Sequence, residues 1–208
     1  MKIKYFILFI TISLSLCTKI YAGPINNGLV GYWQFNGNGE DSTANNLDGS
    51  TMGSASYQYI DNVFHEALYI NNGSYFQVPS NNLLNFTSEI TISLWIKPNN
   101  LSSYQALVAK WANTASPAPA SDRSYLFYIL NSTLFPYIST NQQYVNLQTA
   151  SILKTSEWQQ VAMTYSDTTD LLKVYVNGLF VKQATGSGVM PFNNNIPYND
   201  PYVIGCKI

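Results

Sequence analysis

Apolar side chains in this chain recur at every second position in short runs, and almost never at the spacing of a helix face. That pattern allows strands with one buried face and excludes a helical bundle. The cleanest run is Ile90 to Ile96. Ile90, Ile92, Leu94 and Ile96 point one way, and Thr91, Ser93 and Trp95 the other. Pro98 ends it by removing a ladder donor. Trp158 to Tyr165 repeats the alternation, with Val161, Met163 and Tyr165 on one face. Leu172 to Val181 reads as a hairpin about Asn177-Gly178, a pair that tolerates positive φ in a type I′ turn. Further strands are expected at Leu29–Phe35, Ala67–Ile70, Tyr75–Val78, Gln105–Lys110, Tyr125–Leu130, Thr133–Ile138, Tyr144–Gln148 and Tyr202–Cys206. About thirteen strands, broken by Gly, Asn, Ser and Pro clusters, predict an all-β sandwich of two sheets.

The first residues read as a targeting segment. Lys2 and Lys4 form a basic start, and Tyr5 to Leu16 is an apolar run too short to span a bilayer as a helix. Ile20-Tyr21-Ala22 is an acceptable cleavage site. Residues 1–22 are therefore expected to be a signal peptide, and 23–208 a single secreted, periplasmic or cell-surface domain. Cys17 raises lipidation, against which stands the large Leu16 before it.

Cleavage removes Lys2, Lys4 and Lys19, leaving seven basic residues against eleven acidic and a net charge of −4. No basic cluster supports nucleic-acid binding. Cys206 would be the one remaining cysteine, so no internal disulfide is expected. The 112–122 stretch, ANTASPAPASD, reads as an inserted loop.

Five segments keep a characteristic order: GLVGYWQFNGNGEDSTANNLDGS, ALYINNGSYFQVP, EITISLWIKP, SEWQQVAMTY and LKVYVNGLFV. In order and spacing they resemble a laminin-G-like jelly roll, of the concanavalin A-like lectin and glucanase type. The resemblance runs from Gly28 to Gly205. Trp33, Asp41, Asn45, Asn46 and Gly49 match its opening strand and loop; Trp95 to Pro98, Trp158 to Tyr165 and Tyr175 to Gly178 match its later strands. It implies that Trp33, Trp95 and Trp158 pack in the core. It also implies a closing strand after the Ile-Gly strand, beside the first one. The sequence given stops at Ile208. The expectation is a C-terminally incomplete domain with an open sheet edge, which a strand of another chain could fill.

The chemistry is thin. Jelly-roll glucanases carry paired carboxylates on one strand, where nucleophile and acid flank the glycosidic bond. Glu40, Glu66, Glu89 and Glu157 have no such partners, and His65 is the sole histidine. No catalytic residue is assigned, and an enzyme is the least favoured reading. The 37–49 loop concentrates oxygen donors, and Asp41, Asn45, Asn46 and Asp48 are the candidate ligands for a structural calcium, which the resemblance also implies. The same residues serve equally well as turn formers. For a glycan, aromatic rings and amides near loops are the candidates: Trp111, Tyr104, Tyr137, Tyr144 and Asn141. The expected function is non-catalytic recognition of a carbohydrate or surface ligand through rim loops, with a protein-adhesion module as the alternative.

Overall fold

A computed structural model describes residues 28–60, 65–71, 73–111, 123–140, 143–188, 190 and 202–205. The predicted signal segment, the 112–122 loop, Asn141 and Cys206 lie outside these residues. Among them are thirteen strands. These are β1 (Ser50–Met52), β2 (Ser56–Tyr59), β3 (Glu66–Tyr69), β4 (Tyr75–Val78), β5 (Glu89–Ile96), β6 (Gln105–Trp111) and β7 (Arg123–Leu130). They continue with β8 (Thr133–Ser139), β9 (Tyr144–Asn146), β10 (Gln159–Ser166), β11 (Leu171–Val176), β12 (Leu179–Thr185) and β13 (Tyr202–Ile204). A 3₁₀ turn, Asn82–Leu84, is the only helical element described.

The strands form a seven-stranded sheet in the order β1-β4-β13-β6-β7-β8-β9, a four-stranded sheet in the order β12-β11-β10-β5, and a small β2-β3 pair. All pairings are antiparallel. The two larger sheets pack face to face. Val161, Met163, Tyr165, Leu172 and Val174 of one meet Phe76, Val78, Val108, Tyr125, Phe127, Ile129, Leu134 and Ile138 of the other in one core. Burial of this apolar area is the main stabilising contribution, at roughly 25 cal/mol per Å². Ile90, Ile92 and Ile96 take their predicted inward positions on β5.

Three expectations are corrected. Leu29–Phe35 forms no strand; its sole pairing is the bridge Trp33↔Asp41. Phe35 turns the chain at φ 58, and the Tyr32 amide donates to the Asp41 carboxylate. β1 and β2 were not foreseen, because SYQY and STM are too short and polar to alternate visibly. Trp95 does not pack in the core: it points outward from β5 and is 55 % exposed. Trp33 does pack, stacking on Tyr202 at 5.4 Å and donating its indole N–H to the Leu47 carbonyl. On β5, β10 is the only partner strand among the described residues.

Candidate functional site

The outer face of the seven-stranded sheet is built by period-2 alternation. On β7, Tyr125, Phe127 and Ile129 go into the sandwich, so Leu126 and Tyr128 face out. On β8, Leu134 and Ile138 go in, so Phe135 and Tyr137 face out, and the register sets Phe135 against Tyr128 and Tyr137 against Leu126. Two irregularities in β6 and β7 complete the face. The β6–β7 ladder steps from Ala106–Tyr128 to Val108–Phe127, so Leu107 is the extra residue of a bulge. The bulge brings Ala106 and Ala109, three positions apart, to the same outward side. Near the strand ends the ladder steps from Lys110–Tyr125 to Trp111–Arg123, skipping Ser124. That skip delivers Trp111 and Arg123 together to the outer face.

The result is a continuous run of rings over a small-residue floor. Ala106, Ala109 and Leu126 are buried beneath Tyr104, Trp111, Tyr128, Tyr137 and Val203. Tyr104 lies 4.5 Å from Tyr128, which stacks on Phe135 at 4.7 Å with the planes 2° apart. Tyr128 and Tyr137 are 5.9 Å apart, Tyr137 and Trp111 6.0 Å, and Trp111 and Tyr144 5.4 Å. The Arg123 guanidinium lies 5.5 Å from the Trp111 ring centre and donates to the Tyr144 hydroxyl at 3.1 Å. Asn146, exposed, stands opposite Tyr137 across β8–β9. The Tyr128 phenol is pushed up to about 12, chiefly by burial and then by the neighbouring Tyr137. It is therefore a neutral hydroxyl, able to donate and to accept.

Four of the five predicted ligand residues, Tyr104, Trp111, Tyr137 and Tyr144, are thus brought together; Asn141 lies outside the described residues. Their setting differs from the expectation. Trp111, Tyr137 and Tyr144 stand on strands, so the aromatic cluster is a sheet face rather than a set of rim loops. Tyr128, Phe135 and Arg123 were missed. The alternation in RSYLFYIL and TLFPYIS could have placed Tyr128 and Phe135 beside Tyr137; nothing in the sequence announces the skip at Ser124.

The 37–49 loop is organised by Asp41. Its Oδ1 accepts the amides of Tyr32 at 2.9 Å and Thr43 at 3.0 Å. Its Oδ2 accepts the Thr43 hydroxyl at 2.7 Å and the Leu47 amide at 2.9 Å. Burial alone would raise the pKa of Asp41, but the amides of Tyr32 and Leu47 and the hydroxyl and amide of Thr43 outweigh it and hold the carboxyl below its usual value. Asp48 accepts the Asp41 amide, and the side-chain amides of Asn45 and Asn46 donate to the carbonyls of Val30 and Ala44. A carboxylate offers about four acceptor positions, and all those of Asp41 meet protein donors. Asp41 itself therefore has no acceptor position left over for a calcium ion. Among the described residues no three His, Cys, Asp or Glu side chains gather as a metal site.

A two-sheet antiparallel sandwich is the architecture of the jelly-roll class of proteins. Residues 71–207 match a laminin-G family described as the concanavalin A-like lectin/glucanases superfamily, and the chain belongs to that family. No curated protein sequence matches it. Among solved structures it is similar to domain 4 of AbnA, a GH43 extracellular arabinanase from Geobacillus stearothermophilus, in complex with arabinotriose. That likeness has a TM-score of 0.61 at 19% identity, over 84% of this chain and 81% of that one. The Ruminococcus gnavus IT-sialidase CBM40 bound to alpha2,3 sialyllactose aligns with TM-score 0.47 at 17% identity, over 59% of this chain and 66% of that one. At these identities the likeness is one of fold. No helix among the described residues is long and apolar enough to cross a membrane.

Proposed function

We propose that this chain is a secreted, non-catalytic carbohydrate-binding module whose ligand lies across the outer face of the seven-stranded sheet. The observation that carries the reading is the run Tyr104, Tyr128, Tyr137, Trp111 and Tyr144 on one face, with Arg123 fixed at its end. Sugars present apolar C–H faces to aromatic rings and hydroxyls to amide, phenol and guanidinium groups, and this face offers all of these. The fold shared with an arabinanase domain bound to arabinotriose supports a saccharide ligand. Three of the carboxylates among the described residues serve other roles: Asp41 builds a loop, Glu89 accepts the Ser166 hydroxyl, and Glu157 pairs with Lys154 at 3.2 Å. The alternative, an adhesion module, would bind a protein partner insensitively to free sugars.

The test is titration calorimetry with arabinotriose and a panel of other neutral and acidic oligosaccharides, using the chain and its Trp111→Ala variant. Saturable binding to a panel member, lost in the variant, supports the reading. Absence of saturable binding to every member, or equal binding by both proteins, overturns it.

A further inference from the structure

The four-stranded sheet has an outer face too, and it bears a second set of rings. Its inward positions are taken by Ile92, Met163 and Val174, which lie in register. The outward rows are then Thr91, Thr164, Lys173 and Gln183; Ser93, Ala162, Tyr175 and Phe180; and Trp95 with Gln160. Trp95 and Phe180 are each 55% exposed, and Leu179 at the hairpin tip is 72% exposed. Tyr175 and Phe180 meet edge to face at 6.0 Å. Strand spacing puts Trp95 and Tyr175, two strands and one outward row apart, about 12 Å from one another. Lys173 is the one charged residue in these three rows.

The polar groups between the rings are held in place. Gln160, directly opposite Trp95, donates through Nε2 to the Ser93 hydroxyl at 2.7 Å and accepts the Gly178 amide through Oε1 at 3.1 Å. Its backbone amide donates to the Asn177 side chain at 2.9 Å, and the Asn177 amide returns to the Gln160 carbonyl at 2.8 Å. The hairpin that carries Leu179 and Phe180 is thereby tied to β10. Each of these groups retains capacity: a second amide N–H on Gln160, and the hydroxyl proton of Ser93. A dry protein interface would bury that capacity unused, at a cost. A sugar's hydroxyls would satisfy it while its C–H face lies on Trp95. A rigid ring beside a fixed amide is also already organised for binding.

We infer that the outer face of the four-stranded sheet is a second saccharide-binding site, in which Trp95, Tyr175 and Phe180 stack on a neutral, chain-like polysaccharide and Gln160 and Ser93 bond its hydroxyls. It lies on the opposite side of the sandwich from the Trp111 face and stands independently of the function proposed there.

The experiment is affinity electrophoresis of the full chain in native gels containing debranched arabinan, xylan or, as an acidic comparison, polygalacturonate. Four proteins are run: wild type, Trp95→Ala with Phe180→Ala, Trp111→Ala, and the triple variant. All of the altered side chains of the double variant are exposed, so its thermal melt is expected to match the wild type. The expected result is a tenfold or greater loss of apparent affinity in at least one neutral gel for the double variant, and a further loss for the triple. Unchanged retardation of the double variant alongside loss in Trp111→Ala overturns this inference and leaves the first site standing. Loss in the double variant alone leaves this inference standing and overturns the first site. Absence of retardation of the wild type in both neutral gels overturns this inference. A wild type that elutes as a dimer on gel filtration, with a monomeric double variant, also overturns it, since the face would then pair copies of the chain.

Discussion

The guanidinium of Arg123 lies 5.5 Å from the centre of the Trp111 ring. Its bond to the Tyr144 hydroxyl at 3.1 Å fixes it there. Cation and ring are held mutually, so each positions the other at the end of the aromatic face. Replacing Arg123 by Ala should lower saccharide affinity about tenfold, or about 1.4 kcal/mol. Replacement by Lys should recover part of this loss, since the planar fork is absent. Calorimetry on both variants checks this, with wild-type affinity in Arg123→Ala as the contrary outcome.

Asp41 is expected to matter for folding. Asn at this position keeps one acceptor oxygen and aims an N–H₂ at groups that are themselves donors. Asp41→Asn should destabilise the chain by about 2 kcal/mol. In a domain of this size that lowers Tm by roughly 4 to 8 °C. A melt within a degree of the wild type would contradict the loop's dependence on four accepted bonds.

The same residue sets an acid limit. Its folded-state carboxyl sits below its ordinary value of 3.8, so the unfolded chain takes up the proton first as pH falls. The stabilisation is present above about 3.8 and is lost as pH falls through the lowered folded value. The gap in Tm between wild type and Asp41→Asn should therefore narrow between pH 6 and pH 3. Parallel melting curves across that window would count against the assignment.

Tyr128 behaves in the opposite sense. Its phenol is pushed up to about 12 by burial and then by Tyr137, against an ordinary value of 10.0. Stability from this group is full below 10.0 and is lost as pH rises towards about 12. Tyr128→Phe should show a shallower fall in Tm between pH 9 and pH 11.5 than the wild type.

Calcium should leave the melt unmoved, because the Asp41 oxygens already meet protein donors. Scans with calcium and then with chelator decide this: a rise of several degrees with the ion would show that the loop rearranges to bind it.

Much of the architecture could be read before any coordinates. Ile90 to Ile96 alternates so cleanly that its inward face follows from counting, and Asn177-Gly178 marks its hairpin because both residues sit at positive φ. Leu29–Phe35 misled, because its strand-like composition is overridden by Asp41, whose side chain takes an amide a ladder would use. The aromatic site was half legible. Tyr and Trp could be named as candidates, but their gathering depends on the bulge at Leu107 and the skip at Ser124. Both are tertiary choices that leave no mark in residue type. Trp95 was misjudged because its match to a family position outweighed the alternation that pointed it outward.

Ala106 and Ala109 make the ground on which the rings rest, and they face away from the core. Enlarging either would lift Tyr128 and Tyr104 without touching a residue between the sheets. Exchanging the rings themselves would reshape the contact surface without opening a cavity between the two sheets. The core and the proposed binding surface therefore lie on opposite sides of the same four strands.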